Sequence, residues 1–219
     1  MNIFGLIPVK PFRLGKSRLA GVLTDEERVR LNQALLVHTL KALSDVPDIK
    51  CFWVVSRDPN VLALARRYQA RTILESGNAQ LNSALHQATA SAQLSSSDGV
   101  LILPADLPLL TSQDIRNILS KSSKPPVIVI NPDRHRMGTM GTNALLMCPI
   151  GIIDYAFGVD SFHNHCCQAM NLHITLEIIS LPSISLDLDL PEDLDYLQQS
   201  KLDQIGLFTD NNRCNHQPS

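Results

Sequence analysis

Short apolar runs recur along the chain, each closed by proline, glycine or small polar residues. Between them lie longer stretches with apolar positions three and four apart. The short runs predict buried strands and the longer stretches amphipathic helices. Ile3 to Val9 opens the series and is stopped by Pro8-Val-Lys-Pro11. Thr24-Asp-Glu-Glu27 reads as a capping box, the Thr24 hydroxyl accepting from the Glu27 N–H while the Glu27 side chain reaches back. It opens a helix with Val29, Leu31, Leu35, Leu36, Leu40 and Leu43 on one side. Cys51 to Val55 predicts the next strand, and Asp58-Pro59 supplies an N-cap and first position for a helix through Tyr68.

The alternation continues. Arg71 to Leu74 reads as a strand, Leu81 to Leu94 as an alanine-rich helix, Ser95 to Gly99 as a loop and Val100 to Leu103 as a strand. A helix capped by Thr111, with Asp114 in its first turn, precedes a strand at Val127 to Ile130. This predicts an α/β class: a doubly wound, mostly parallel sheet with helices on both faces and right-handed crossovers. After Asn131 the rhythm breaks. The loop Pro132 to Gly141 carries Asp133-Arg-His-Arg136 and a small repeat, Met137-Gly-Thr139 then Met140-Gly-Thr142. Asn143 to Cys148 predicts a strand, Ser161 to Met170 a helix, Leu176 to Leu181 a strand, and Pro191 opens a last helix to about Gln199. No linker divides the chain, so residues 1–202 are expected to form one domain and the polar tail, 203–219, to fray.

Composition narrows the function. Of 219 residues 44% are hydrophobic, ample for a core, and the formal net charge of −2 leaves no basic footprint for nucleic acid or an acidic membrane surface. An anion must be held by local geometry. No run approaches the ~20 apolar residues of a membrane span. Met1 to Val9 lacks the basic start of a secretory signal. The five cysteines are an odd number without CxxC spacing, which predicts reduced thiols in a cytoplasm.

Two acidic segments then stand out. Leu103-Pro-Ala-Asp-Leu-Pro-Leu-Leu110 follows a strand, and Ser185-Leu-Asp-Leu-Asp-Leu-Pro-Glu-Asp-Leu194 precedes the last helix. Carboxylates at strand ends of an α/β chain suit a hard divalent cation serving a phosphate-bearing substrate. Asp106 is either a turn-former or a ligand. Asp187 and Asp189, spaced i, i+2, face one way in extended chain, whereas Glu192 and Asp193 suit the dipole of the last helix. Brought together, Asp106, Asp187 and Asp189 would make an oxygen site for Mg²⁺. The loop Lys10 to Arg18 carries Lys10, Arg13, Lys16 and Arg18, complementary to phosphates, although a solvated basic loop is the plain alternative. It matches neither a Walker loop nor GxGxxG.

Gly141-Thr-Asn-Ala-Leu145 and Phe157-Gly-Val-Asp-Ser-Phe162 are candidate anion cradles, with Thr142 and Ser161 as donors and Ser161 as an expected N-cap. His163, His165, Cys166 and Cys167 match no standard zinc spacing and would splay over different helix faces, which predicts packing or exposure.

Taken in order, these segments resemble the CofC-type guanylyltransferases of coenzyme F(420) biosynthesis. The likeness runs from Ile7 to about Leu197. It is carried by Ile7-Pro-Val-Lys-Pro11, Lys16-Ser-Arg-Leu-Ala20, Val54-Val-Ser-Arg57, the Asp106 segment, Pro132-Asp-Arg134, Gly141-Thr-Asn-Ala-Leu-Leu146, Phe157-Gly158, Ser161-Phe162, His165, and Leu188-Asp-Leu-Pro-Glu-Asp-Leu194. The resemblance implies a nucleotide-diphospho-sugar-transferase-like domain that uses Mg²⁺ and GTP. It would join GMP to the phosphate of a three-carbon acid, phosphoenolpyruvate or 2-phospho-L-lactate, releasing pyrophosphate. The bacterial look of the N-terminal segment favours phosphoenolpyruvate. By the same resemblance Asp106, Asp187 and Asp189 would hold the metal. Thr142, Gly158 and Ser161 would hold the acid, and Lys10, Lys16 and Arg18 would face the triphosphate. Thr139 competes with Thr142 because the Gly-Thr is doubled. Gln80-Leu-Asn82 stands where the family has Gly-Leu-Asn, a loop implicated in reading the base. A labile product implies hand-off to a downstream transferase. Another nucleotidyltransferase of this architecture, or a GTP-binding protein without catalysis, are the alternative readings.

Overall fold

The computed structural model describes residues 2–77, 80–93, 97–134 and 138–199. The expected tail, Leu94, and the His135-Arg136 half of the Asp133-to-Arg136 run lie outside the described residues. Strands are β1 (Ile3–Pro8), β2 (Ile49–Ser56), β3 (Arg71–Leu74), β4 (Gly99–Ile102), β5 (Val127–Pro132), β6 (Thr142–Cys148) and β7 (Thr175–Ile178). Helices are α1 (Asp25–Ser44), α2 (Pro59–Arg67), α3 (Leu81–Gln93), α4 (Ser112–Ser120), α5 (Ser161–Asn171), α6 (Pro182–Ser185) and α7 (Pro191–Gln199).

Local chemistry sets the helix starts. Thr24 and Glu27 form the capping box of α1, Thr111 and Asp114 that of α4, and Asp58 caps α2 ahead of Pro59. One expectation is corrected here: the N-cap of α5 is Asp160, in the left-handed region at φ 55°, and Ser161 is the first helical residue. A second concerns the segment after β7. The strand ends at Ile178, short of the expected Leu181, and Pro182 starts the short α6, which the sequence pattern did not predict.

The strands form one sheet in the order β3-β2-β1-β4-β6-β5-β7, parallel except for β6, which runs antiparallel to both β4 and β5. The reversal has a simple cause. Only nine residues, 133–141, join β5 to β6, and a parallel return needs a longer crossover. Strand residues alternate between two cores. Ile7, Val54, Leu101, Val129 and Leu146 pack with α1, α2 and α4 on one face. Leu6, Val55, Ile102, Ile130 and Leu145 pack with α3 and α5 on the other.

A third cluster joins the chain ends. Leu19, Leu31 and Leu35 enclose Leu186, Leu188, Leu194 and Leu197. Leu186 and Leu188 are fully buried. Alternation in an extended chain therefore turns Asp187 and Asp189 to the opposite side. Backbone bonds fix this segment on the sheet edge, Leu188 N–H donating to the Asp106 carbonyl (3.0 Å) and Arg134 N–H to that of Ser185 (2.9 Å).

Candidate active site

The strand order reverses between β1 and β4: successive units step toward β3 on one side and toward β7 on the other. In open α/β sheets the crevice outside the carboxyl ends at such a switch point takes ligands. A cleft of about 530 Å³ lies there, walled by Lys10, Gly15, Lys16, Arg57, Glu75, Gln80, Asp106 and Asp189, among others. A larger groove of about 870 Å³ between α1 and α2 holds Arg30, Lys41 and Arg67 but no carboxylate, and sits away from the strand ends.

The loop after β1 is not a free solvated strap. Phe12 is buried, its N–H donating to Asp58 Oδ2 (3.1 Å) and its carbonyl accepting from Asn32 (2.8 Å). Arg28 donates to the Gly15 carbonyl. Lys16 has φ 57°, a left-handed conformation uncommon for a residue with a side chain. Its side chain is 6% exposed and its Nζ sits 2.8 Å from Asp106 Oδ2. Arg18, on the following turn, pairs with Asp189. Lys10 is exposed on the cleft wall.

Asp106 and the Asp187–Asp189 segment are thus adjacent, although distant in sequence. Two of the three carboxylates already face a cation of the chain. Among the described residues no three His, Cys, Asp or Glu side chains are gathered tightly enough to hold a metal as they stand. The donor chemistry nevertheless fits a hard cation: all-oxygen, anionic, and placed where Lys16 and Arg18 mark a preference for positive charge. Asp193 is otherwise engaged, accepting from the N–H groups of Asp189 and Leu190 to cap α7.

Because β6 is antiparallel, its N-terminus lies at the same edge. Ile102 pairs with Leu145, so Thr142 stands past the end of β4, beside the Asp106 loop. There Thr142, Ser161 and His165 meet, all buried. His165 Nε2 accepts from the Ala156 N–H (3.0 Å), so the ring proton is on Nδ1. That N–H donates to Thr142 Oγ1 (3.2 Å), which also accepts from Ser161 Oγ (3.1 Å). With its oxygen receiving two donors, the Thr142 hydroxyl has its own proton to offer a ligand. Gly158, at φ 135°, forms the exposed turn before α5, and its carbonyl accepts from Ser161 N–H. Gly141 has no room for a side chain, since a Cβ would lie 2.4 Å from the Asp133 carboxylate. Thr139 is exposed, whereas Thr142 is buried. The other members of the histidine–cysteine run splay: His163 and Cys167 face each other on the exposed side of α5 (3.3 Å), and Cys166 is buried.

Sequence reasoning gave no role to Glu75, and the family likeness tied the Gln80-Leu-Asn82 loop to the base without assigning a contact to Asn82. In the structure Asn82 clamps α3 to the Gly158 turn. Its carbonyl accepts from Phe157 N–H (2.9 Å) and its amide donates to the Phe157 carbonyl (3.1 Å). The family pattern was the one signal for Asn82; for Glu75 there was none.

Burial pushes the His165 pKa down to about 4, only partly offset by the Ser161 backbone carbonyl. An ordinary histidine titrates near 6.5. Between those values the unfolded chain binds the proton and the folded chain does not, so stability is full above ~6.5 and falls as pH drops toward 4. Thermal melts from pH 7 to 5 should show a falling Tm for the protein and a flatter slope for His165→Asn. An equal slope in both would refute this.

A cationic loop, edge carboxylates and buried hydroxyl groups lie together at the switch point of a seven-stranded sheet, an arrangement suited to a phosphate-bearing ligand. The protein from Desulfovibrio desulfuricans G20 that bears the name nucleotide-diphospho-sugar transferase superimposes with TM-score 0.71 at 16% identity, covering 91% of this chain and 88% of that one. This likeness speaks for the fold alone. The chain itself belongs to the family described as "Guanylyl transferase CofC like", matched over residues 3–199. It is 36% identical to the phosphoenolpyruvate guanylyltransferase of Rubrobacter xylanophilus, covering 91% of this chain and 95% of that protein. It is 31% identical to the 2-phospho-L-lactate guanylyltransferase of Methanothermobacter thermautotrophicus, covering 89% and 83%.

Proposed function

We propose that the protein transfers GMP from GTP to the phosphate of phosphoenolpyruvate, releasing pyrophosphate, as a step in coenzyme F(420) biosynthesis. The observation that carries this reading is the shared edge. The cationic cleft at β1 and β4 and the Thr142–Ser161 cradle at β6 flank the same carboxylates, so two anions can be brought face to face there.

A phosphate oxygen of the acid attacks the α-phosphorus in line, the α–β bridging bond breaks, and pyrophosphate departs. The attacking monoester is already anionic at pH 7, its second pKa lying near 6, so no general base is required. Lys10, Lys16 and Arg18 are placed to offset repulsion between the two substrates and the charge growing on pyrophosphate. Asp106, Asp187 and Asp189 would hold Mg²⁺. A bound ion there would supply further charge stabilisation and orient the phosphates. Thr142 and the Ser161 end of α5 would hold the acid, with Gly158 shaping the turn beside it. Among the described residues the thiols of Cys51, Cys166 and Cys167 form no disulfide, which suits a reducing, cytoplasmic setting. No helix among the described residues is long and apolar enough to cross a membrane. The product anhydride is labile, which favours transfer to a downstream enzyme.

Purified protein with Mg²⁺ and GTP should release pyrophosphate when phosphoenolpyruvate is added, and not with ATP or CTP. Preference for 2-phospho-L-lactate would change the acceptor and keep the chemistry. Absence of release with either acid would overturn the reading.

A further inference from the structure

The cleft has an end that the proposed chemistry does not use. Crossing the carboxyl edge from β4 toward β3, the strand ends present Asp106, then Lys10 and Lys16, then Arg57, then Glu75. Three strand spacings separate the ends of β4 and β3, about 14 Å. That is the scale of an extended nucleoside triphosphate. With the phosphates at Lys10 and Lys16, the base falls at Arg57 and Glu75.

Glu75 is built as an acceptor held in place. Its side chain is 13% exposed, and Arg57 grips it through two donors, Nη2 to Oε1 at 3.0 Å and Nε to Oε2 at 3.4 Å. Arg57 also reaches the Gly77 carbonyl, and Glu75 N–H donates to the Ser56 carbonyl. Gln87 of α3 accepts from Ser76 N–H and donates to the Leu74 carbonyl, fixing the backbone on either side. A carboxylate can accept about four hydrogen bonds. Arg57 takes two, so each oxygen keeps a lone pair. The neighbouring Asn82 is held by Phe157 through its carbonyl and amide and does not line the cleft.

We propose that Glu75, fixed by Arg57, selects guanine by accepting from its N1–H and its N2 amino group. Arg57 occupies the two lone pairs that face it, and the outward lone pair of one oxygen can accept from both of the adjacent guanine donors. Adenine sets a lone pair at N1 against the carboxylate and lacks the N2 amino group, so it is repelled as well as less well bound. Hypoxanthine keeps N1–H and loses only the N2 amino group. Leu81 and Ala84, beside Glu75, supply apolar wall for the ring.

The inference rests on GTP being the donor, and its test needs no acceptor acid. Equilibrium binding of GTP, ITP and ATP with Mg²⁺ is measured for the protein and for Glu75→Gln, which leaves Arg57 an acceptor. The protein is expected to bind GTP about 10- to 100-fold more tightly than ITP, the worth of one hydrogen bond to a charged group, and ATP weakest. In Glu75→Gln the GTP-to-ITP ratio should collapse to within about threefold, with the melting temperature nearly unchanged. A ratio unchanged by the substitution shows a structural ion pair only and overturns the proposal. So does a protein that binds GTP and ITP alike, or binds neither. Selective GTP binding without pyrophosphate release would leave Glu75 in place and fail the acceptor reading instead.

Discussion

Asp106→Asn is expected to lower kcat/KM for pyrophosphate release by at least about 10³-fold while leaving the protein folded. The size follows from what is lost. A carboxylate that organises a cation between two phosphates acts mainly on the transition state, and single electrostatic contributors of that kind are worth about 10²–10³ before any metal is lost. Folding has little at stake. Asp106 is one-third exposed, and asparagine keeps an oxygen for the buried Lys16 ammonium. Release assayed across a Mg²⁺ titration, beside a thermal melt, separates the two effects. Activity within tenfold of the parent at saturating Mg²⁺ would remove Asp106 from the metal site. A collapse of the melt would make it structural.

Thr142→Val should act on the other substrate. Valine fills the same space without the hydroxyl, so the acid loses a donor and its KM should rise about 100-fold with little change in the KM for GTP. The same substitution strands two buried donors, Ser161 Oγ–H and His165 Nδ1–H. Each stranded group costs about 1–3 kcal/mol, so Tm should fall by several degrees. Thr139→Val is the matched control. Thr139 is exposed where Thr142 is buried, and both KM values should stay put. Equal behaviour of the two variants would refute the assignment of Thr142.

The legible parts of this chain were local ones. Thr24-Asp-Glu-Glu27, Asp58-Pro59 and Thr111 to Asp114 close their hydrogen bonds within four residues, so the sequence names both partners. Apolar runs located the strands to within a few residues because burial on both faces leaves little else possible. The reversal of β6 was not legible in the apolar runs themselves, since it depends on the length of the 133–141 connection between them. Nor was the placement of α6, a four-residue helix too short to show periodicity. In the site, the acidic and basic segments were visible by composition and by family pattern. That Lys16 would choose Asp106 and Arg18 would choose Asp189 was not, because those pairs span 90 and 171 residues. Glu75 was invisible for the same reason. Its meaning comes from Arg57 on the neighbouring strand.

The order of strands along the edge also bears on how such an enzyme can diversify. On the assignments proposed above, base, triphosphate and acid would meet residues from the ends of β3 and β2, of β1 and β4, and of β6 and α5 in turn, each group on its own stretch of backbone. A lineage can therefore exchange one small acid for another by drift around Gly141–Thr142 and Gly158–Ser161 while its nucleotide end stays under separate selection. Inheritance is modular along the sheet edge, and the two substrate repertoires can evolve at different rates.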